Sequence, residues 1–395
     1  MSEMSPPDRS SMYPLGAAVT PVQLEGDPHP VLAELREREP VSWVPALNGW
    51  LVTGRPEAMA AMRDAETFTV DDPRFSTAQV VGPSMLSLDR TEHRRHRDPF
   101  VEPFRHRPLH DRLAEKTRAR ARHLVATMAP HGSGDLRSGL AAPLAVEVMA
   151  EVLGLEGADT NQVLGWYEAI VSAVDGITAG DTVSEGGVSA FRELTVAVES
   201  ILEERSNALL SIVHAQGDLS TAEVVSNAAV LMFGGIVTSD GSTASAFHLL
   251  LSHPDQLDLV LEDRSLVANA VEEAFRLEPA AAVVDRYATR DSGLGGVSIR
   301  AGELVMVSLA AANRDPAVFA EPDRFDVRRK NASQHLAFAR GPHACLGIHL
   351  ARLEGQAAVA AALDGLEGLQ AERDVIDAPR GLIFRAPPAV RATWR

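Results

Sequence analysis

Ten residues near the C-terminal end bring one soft nucleophile, two cations and several turn-forming residues into a single short stretch. They read Phe338-Ala-Arg340-Gly341-Pro-His343-Ala-Cys345-Leu-Gly347 and hold the only cysteine among 395 residues. The following segment, Ile348 to Leu363, is rich in strong helix formers. A cysteine just before a helix faces unpaired backbone N–H groups and the positive end of the helix dipole, both of which favour thiolate. The stretch therefore offers one anionic metal ligand at the end of a glycine-shaped loop. Taken alone, a lone cysteine is better explained as a buried structural residue.

Two further patterns carry chemistry. In Leu231-Met-Phe-Gly234-Gly235-Ile-Val237-Thr238-Ser239-Asp240-Gly241, three glycines interrupt a long apolar helical pattern. Each weakens a helix by about 1 kcal/mol relative to alanine. Such a helix suits a close approach of backbone to something bulky, or close helix–helix packing. Thr238 can bond back to the Gly234 carbonyl and open the helix locally. In Glu273-Ala-Phe-Arg276, an acid and a base share one helix face, most often a surface pair of little energetic weight.

The elements that must position these residues are mostly helical. Residues 1–25 read as a disordered or extended lead, and 26–395 as one domain. A helix is predicted from Pro30 to Glu39 and another from Pro56 to Asp64, with strands Val41–Val44 and Trp50–Thr53 joined at Asn48-Gly49. Thr69 to Leu88 reads as a long loop, and Gly176 to Gly187 as a second break, both suited to a binding loop or lid. The clearest helix spans Thr221 to Ser252, opened by the capping box Ser220-x-x-Glu223 and followed by Pro254. At roughly thirty residues it reaches on the order of 45 Å. A helix from Asp263 to Glu278 and strands at Val283–Thr289, Val297–Ile299 and Leu304–Ser308 precede a meander through Asp326. The fold class is mainly α (α+β), with a large helical region and a small β-rich one.

Composition excludes several classes. One cysteine rules out an internal disulfide and a zinc site built on several thiolates. The net charge of −17 argues against nucleic acid as the main partner. No signal-peptide core opens the chain and no run of eighteen uncharged apolar residues occurs, so no membrane span is expected and the cytoplasm is the expected location. Locally the charge reverses: fifteen Arg, Lys or His residues fall between Arg90 and Arg122, a solvated surface or a face for an acidic partner.

Together, the four motifs resemble those of the haem-thiolate monooxygenases of the cytochrome P-450 family, in their soluble bacterial form. The cysteine loop resembles the family's haem loop, Glu273-x-x-Arg276 its helix K pair, Pro322-Asp-Arg324-Phe325 its meander arginine, and Gly234-Gly235-x-x-Thr238 its oxygen-binding kink. The resemblance implies a cytochrome P-450-like fold and haem b as cofactor. It makes Cys345 the axial thiolate on the iron, shielded by Phe338, with Gly347 supplying an amide donor and Gly234 admitting the ring. By the same resemblance His93, Arg97, Arg286 and His343 hold the haem propionates, while Glu273, Arg276 and Arg324 form a buried ion network. Pro99 and Pro103 make the helix carrying His93 and Arg97 short or kinked.

One departure concerns proton delivery. The family's helix I acid is replaced by Val237, leaving Thr238, Ser239 and Asp240, one turn beyond, as the expected catalytic group. The substrate pocket implied by the resemblance includes Val81, Met85, Leu86, Val237, Val283, Val284 and Ile383. These small apolar residues suit a hydrophobic, natural-product-like molecule. The expected reaction is hydroxylation or epoxidation with dioxygen and electrons from a ferredoxin and its reductase, by a monomer. Val237 keeps open a peroxygenase, an oxidative coupling or ring-forming enzyme, or an isomerase. A non-catalytic haem sensor is disfavoured by the glycine-opened helix and Thr238.

Overall fold

The computed structural model describes residues 9–155, 160–178, 182–204, 208–372 and 377–395. At its centre lies the 32-residue helix Thr221–Ser252, hereafter the central helix, which begins at the Ser220/Glu223 capping box expected from sequence. Most of its length is buried, with Val224 to Phe233 and Thr243 to Phe247 enclosed. It is long and apolar enough to span a bilayer by composition. In this fold the apolar character is accounted for by core position.

Three helices fix the site around it. Arg90–Val101 carries the histidine and arginine candidates. Val267–Leu277 carries Glu273 and Arg276. Ile348–Gly365, the thiol helix, leads directly out of the cysteine loop. Despite Pro99, Arg90–Val101 stays helical over 12 residues. The proline lies in its last turn, near the point where the helix ends in any case.

A five-stranded sheet flanks the helices. Its order is Val41–Val44, Gly49–Val52, Leu304–Ser308, Val283–Ala288 and Phe68–Thr69. The first two strands form an antiparallel hairpin with Val41 opposite Val52. The turn is longer than the two residues expected: Pro45–Leu47 form a 3-10 turn and Asn48 sits at φ 47°, a left-handed position that asparagine tolerates. Trp50 then pairs in parallel with Val305, and Val284 in antiparallel fashion with Val307.

Two expectations are corrected. The lead does not run extended: residues 9–25 fold as three short helices, Arg9–Met12, Pro14–Ala18 and Pro21–Glu25, while 1–8 lie outside the described residues. Tertiary contacts hold them. The Leu15 and Gly16 amides donate to Glu39 (3.0 and 3.1 Å), Val19 and Leu24 enter the core, and Arg9 lies over the Trp43 ring at 4.5 Å. The Thr69–Leu88 stretch contains a helix, Ser76–Val81, whose Val80 and Val81 are buried. The second break falls between helices Thr160–Thr178 and Glu185–Glu204, and 179–181 lie outside the described residues.

Candidate active site

The cysteine loop is a hairpin that the backbone itself enforces. Cys345 N donates to Phe338 O (2.9 Å) and Ala344 N to Gly341 O (3.1 Å). Ala339 and Gly341 take φ values of 54° and 79°. A Cβ on Gly341 would stand 2.3 Å from the Met62 carbonyl oxygen. Glycine is therefore required on two counts, left-handed backbone and close approach. Gly341→Ala is expected to remove about 2 kcal/mol or more of stability. Urea titration of the cofactor-free chains checks this; an unchanged midpoint would show that the loop can shift.

Cys345 Sγ opens into a cavity of about 580 Å³ and takes a hydrogen bond from the Gly347 amide. The helix starting at Ile348 has no side-chain cap, so its first amides remain directed at this end of the loop. Without a metal the thiol is nevertheless pushed up by burial, against the Gly347 amide, Arg97 and Arg352. The expected lowering by the helix end is thus outweighed by desolvation. Phe338 packs edge-on against Phe275 at 5.5 Å and beneath Arg352 at 5.4 Å, beside the loop.

Opposite the thiol, the central helix lines the cavity with Leu231, Gly234, Gly235, Thr238, Ser239 and Ser242. Its three glycines have different tasks. A Cβ on Gly234 would meet nothing within 4 Å, so this residue opens a flat patch toward the cavity. Gly235 accommodates the end of Met149, and a Cβ on Gly241 would stand 3.2 and 3.3 Å from the Ala280 and Ala386 methyl groups. Thr238 Oγ1 donates to the Gly234 carbonyl at 2.5 Å, as foreseen, yet the helix stays continuous.

One edge of the cavity is rich in cations. Arg286 is buried and its Nε has no partner, although one terminal nitrogen donates to the Asp285 carbonyl at 2.6 Å. His93 is buried against the His343 ring, centroid to centroid 4.2 Å, and its Nε2 also has no partner. Burial, then the His343 and Arg97 charges, push His93 down to about 4. Arg97 donates to Ala344 O at 2.5 Å. His343 is tied to Asp89 at 2.7 Å. Burial would raise Asp89, but His343, Thr69 and the Val70 amide hold it down at about 2. Buried nitrogens without acceptors are rare. Arg286 lines a cavity with a thiol floor and a glycine-flattened roof, and His93 stands behind His343, which lines it too. That donor set fits a planar, iron-bearing ligand with acidic side groups.

With the geometry established, comparison with known proteins decides the family. The profile described as "Cytochrome P450" matches residues 197–389. Mycinamicin IV hydroxylase/epoxidase of Micromonospora griseorubida is 34% identical over 378 residues, covering 91% of this chain and 94% of that protein. The chain belongs to the cytochrome P450 family. The P450 monooxygenase PikC of Streptomyces venezuelae is 33% identical, with 92% and 89% covered. The structure of P450BioI in complex with an acyl-carrier protein superposes with a TM-score of 0.85 at 28% identity, covering 93% of this chain and 99% of that one. The cofactor of this P450 is therefore haem b, and the protein is an oxidoreductase of the haem monooxygenase type.

Several predicted residues fall elsewhere in this P450. Asp240 does not face the cavity: it receives both Nε and a terminal nitrogen of Arg137, the closest contact being 2.7 Å. Burial raises the Asp240 carboxyl while Arg137 opposes this. A two-residue step from Thr238 turns the side chain through about 200° of helix, which places it on the far side. Among the substrate candidates, Met85, Leu86, Val283, Val284 and Ile383 line the cavity. Val81 is instead core, and Val237 sits off the stripe formed by Leu231, Gly234, Thr238 and Ser242.

The ion network is also redrawn. Glu273 receives Arg276 at 2.7 and 2.8 Å and Arg329 at 2.8 Å. Arg324 contributes its carbonyl to Arg276 and Arg329, while its guanidinium pairs with Glu321 at the surface. The second buried cation, Arg329, is a residue the motif comparison passed over. Its signal was slight, the repeated arginine of Asp326-Val-Arg-Arg329.

Glu354 was missed altogether. It lies on the thiol helix, 2% exposed, with both carboxyl oxygens buried and lacking a well-formed hydrogen bond. It faces Ser239, which lines the cavity, and burial pushes it up to about 8 with the Ser239 hydroxyl opposing. Nine residues past the cysteine, it reads in sequence as one more helix-forming glutamate.

Proposed function

We propose that this P450 inserts one atom of dioxygen into a hydrophobic, natural-product-like small molecule, using electrons from a ferredoxin and its reductase. The observation that carries the reading is the shared cavity: Cys345 opens into one wall, Thr238 and Ser239 line the other, and apolar side chains complete it. In this reading Cys345 would hold the haem iron through its sulfur, and Arg286, His93 and Arg97 would meet the haem's acidic side groups. His343 acts through Asp89, which ties the loop to the Thr69–Val70 strand end. When bound, haem b supplies oxygen activation, and a thiolate ligand favours O–O cleavage.

The protein's remaining task is to deliver protons without the usual acid. With Asp240 paired to Arg137, Glu354 takes this role, protonated at neutral pH and relaying through Ser239 to Thr238. Met85, Leu86, Val283, Val284 and Ile383 hold the substrate's body. The relative named as a mycinamicin IV hydroxylase/epoxidase supports the natural-product class. An acidic donor would dock on the cysteine side, where Arg112 is exposed and Arg352 is in part occupied by Glu272. The enzyme acts in the cytoplasm as a monomer.

Reduction under carbon monoxide tests the centre of the reading. A Soret band at the thiolate position is expected, followed by substrate-dependent product formation with dioxygen, ferredoxin and reductase. Turnover with peroxide alone would instead favour a peroxygenase.

Glu354→Gln tests the proton route. It is expected to lower the fraction of reductant recovered as product by about tenfold, within the range general acid–base groups contribute. It should also change pH dependence. The wild-type carboxyl keeps its proton in the fold up to about 8 but loses it near 4.5 when unfolded. The folded state then holds more protons, so wild-type stability falls as pH rises through that window. The glutamine variant should lack this component, which thermal melts from pH 4.5 to 8 would reveal. Identical coupling and identical pH profiles would refute the assignment.

A further inference from the structure

The cavity lining contains one acidic group, to which oxygen activation assigns no task. Asp285 stands on the strand Val283–Ala288, opposite Met306 of the neighbouring strand. It lines the cavity beside Val283, Tyr287 and Leu304. Its Oδ1 is buried and has no hydrogen-bonding partner. Among the described residues no cation forms an ion pair with it. Arg286, the next residue, also lines the cavity, but among the described residues it forms no ion pair with the Asp285 carboxylate. Arg286 reaches back with a hydrogen bond to the Asp285 carbonyl, not to its carboxylate. Arg74, which also lines the cavity, is already engaged by Asp72 and the Gly302 carbonyl, both at 2.8 Å, and lies over the Tyr287 ring.

A carboxylate placed in a largely apolar chamber without a cation is unfavourable unless something pairs with it. Burial holds the Asp285 carboxyl up at about 6, opposed by Arg286. The surroundings that leave this charge uncompensated are the same apolar walls, Leu47, Val283, Leu304 and Ile383, that would receive a substrate's hydrocarbon body. A ligand whose body fills those walls and which carries a cationic nitrogen would satisfy both. The attraction needs no N–H, because opposite charges in a chamber of low dielectric attract more strongly than in water.

We infer that Asp285 is a specificity-determining residue, selecting substrates that bear a cationic nitrogen by pairing its carboxylate with the ammonium group. The inference rests on the cavity being the substrate chamber of a haem monooxygenase. It narrows the substrate class from hydrophobic molecules in general to amphipathic amines.

The test uses haem-loaded enzyme and two probes of one shape, octanoylcholine and its uncharged isostere, the tert-butylethyl ester of the same acid. Neither has a nitrogen lone pair to ligate iron, so dissociation constants can be read from Soret titration or calorimetry. The wild type is expected to bind the choline ester roughly tenfold more tightly than the neutral ester. Asp285→Asn should weaken the choline ester by about tenfold and leave the neutral ester within about twofold. Equal affinities in the wild type, or an equal loss for both probes in the variant, would overturn the inference. The wild-type comparison stands even if the variant loads haem poorly. Absence of the thiolate carbon-monoxide band would refute the monooxygenase reading, whereas a normal band without preference for the cation refutes this inference alone.

Discussion

Cys345→Ser is expected to abolish the thiolate carbon-monoxide band and to reduce product formation by on the order of 10³-fold or more, equivalent to a barrier raised by about 4 kcal/mol. The fold should survive. Cys345 Sγ faces the cavity and its contact with protein is the Gly347 amide, which a serine hydroxyl can also accept from. The loop's shape is set by other groups, the Cys345 N–Phe338 O hydrogen bond and the left-handed Gly341. Far-ultraviolet circular dichroism and the urea midpoint should therefore match the wild type within about 1 kcal/mol. A variant that keeps wild-type product formation would show that the reaction does not need the thiolate, since the chain has no other cysteine. One that unfolds would make the cysteine structural, the alternative its sequence position first suggested.

The second large effect is on stability. Glu273→Gln leaves Arg276, fully buried, and Arg329, 7% exposed, without their shared anion. Breaking such a buried network strands charges in the interior and is expected to destabilise by about 3–5 kcal/mol. Carbonyls of Asn313, Pro322 and Arg324 also accept from Arg276, so the same change should loosen the meander that runs toward the cysteine loop. Arg324→Ala supplies the contrast. Its guanidinium is 57% exposed and pairs with an exposed Glu321, so its loss should change stability by less than about 0.5 kcal/mol. Chemical denaturation of both variants decides between the two arrangements: similar losses would restore Arg324 to the network.

The correction at Arg324 shows where sequence reading reaches its limit. A motif identifies a segment that approaches the buried glutamate but not which of its arginines turns inward. The segment contains Arg324, Arg328 and Arg329, and the turn geometry selects Arg329 while Arg324 supplies a carbonyl. Asp240 failed for a related reason. One-dimensional spacing placed it one turn beyond Val237, but the cavity-facing stripe runs through Thr238 and Ser242, and Arg137 from a separate element claims the carboxylate. Glu354 was invisible because its significance lies in burial and in the facing Ser239, more than a hundred positions earlier.

What the sequence by itself determined is therefore local. The central helix and its capping box, the strands Val283–Ala288 and Leu304–Ser308, and the glycine-bound cysteine loop follow from propensity, periodicity and turn chemistry within short windows. The family followed from the order of four such windows. The tertiary structure alone decided which charges are paired and which remain free. It assigned Asp240 to Arg137 and Asp89 to His343, set Glu354 against Ser239, and left Arg286 Nε, His93 Nε2 and Asp285 Oδ1 without a hydrogen-bonding partner. The physical reason is that a charge's function depends on what lies within a few ångströms of it and on how much water remains. Neither quantity is carried by residue type or spacing along the chain.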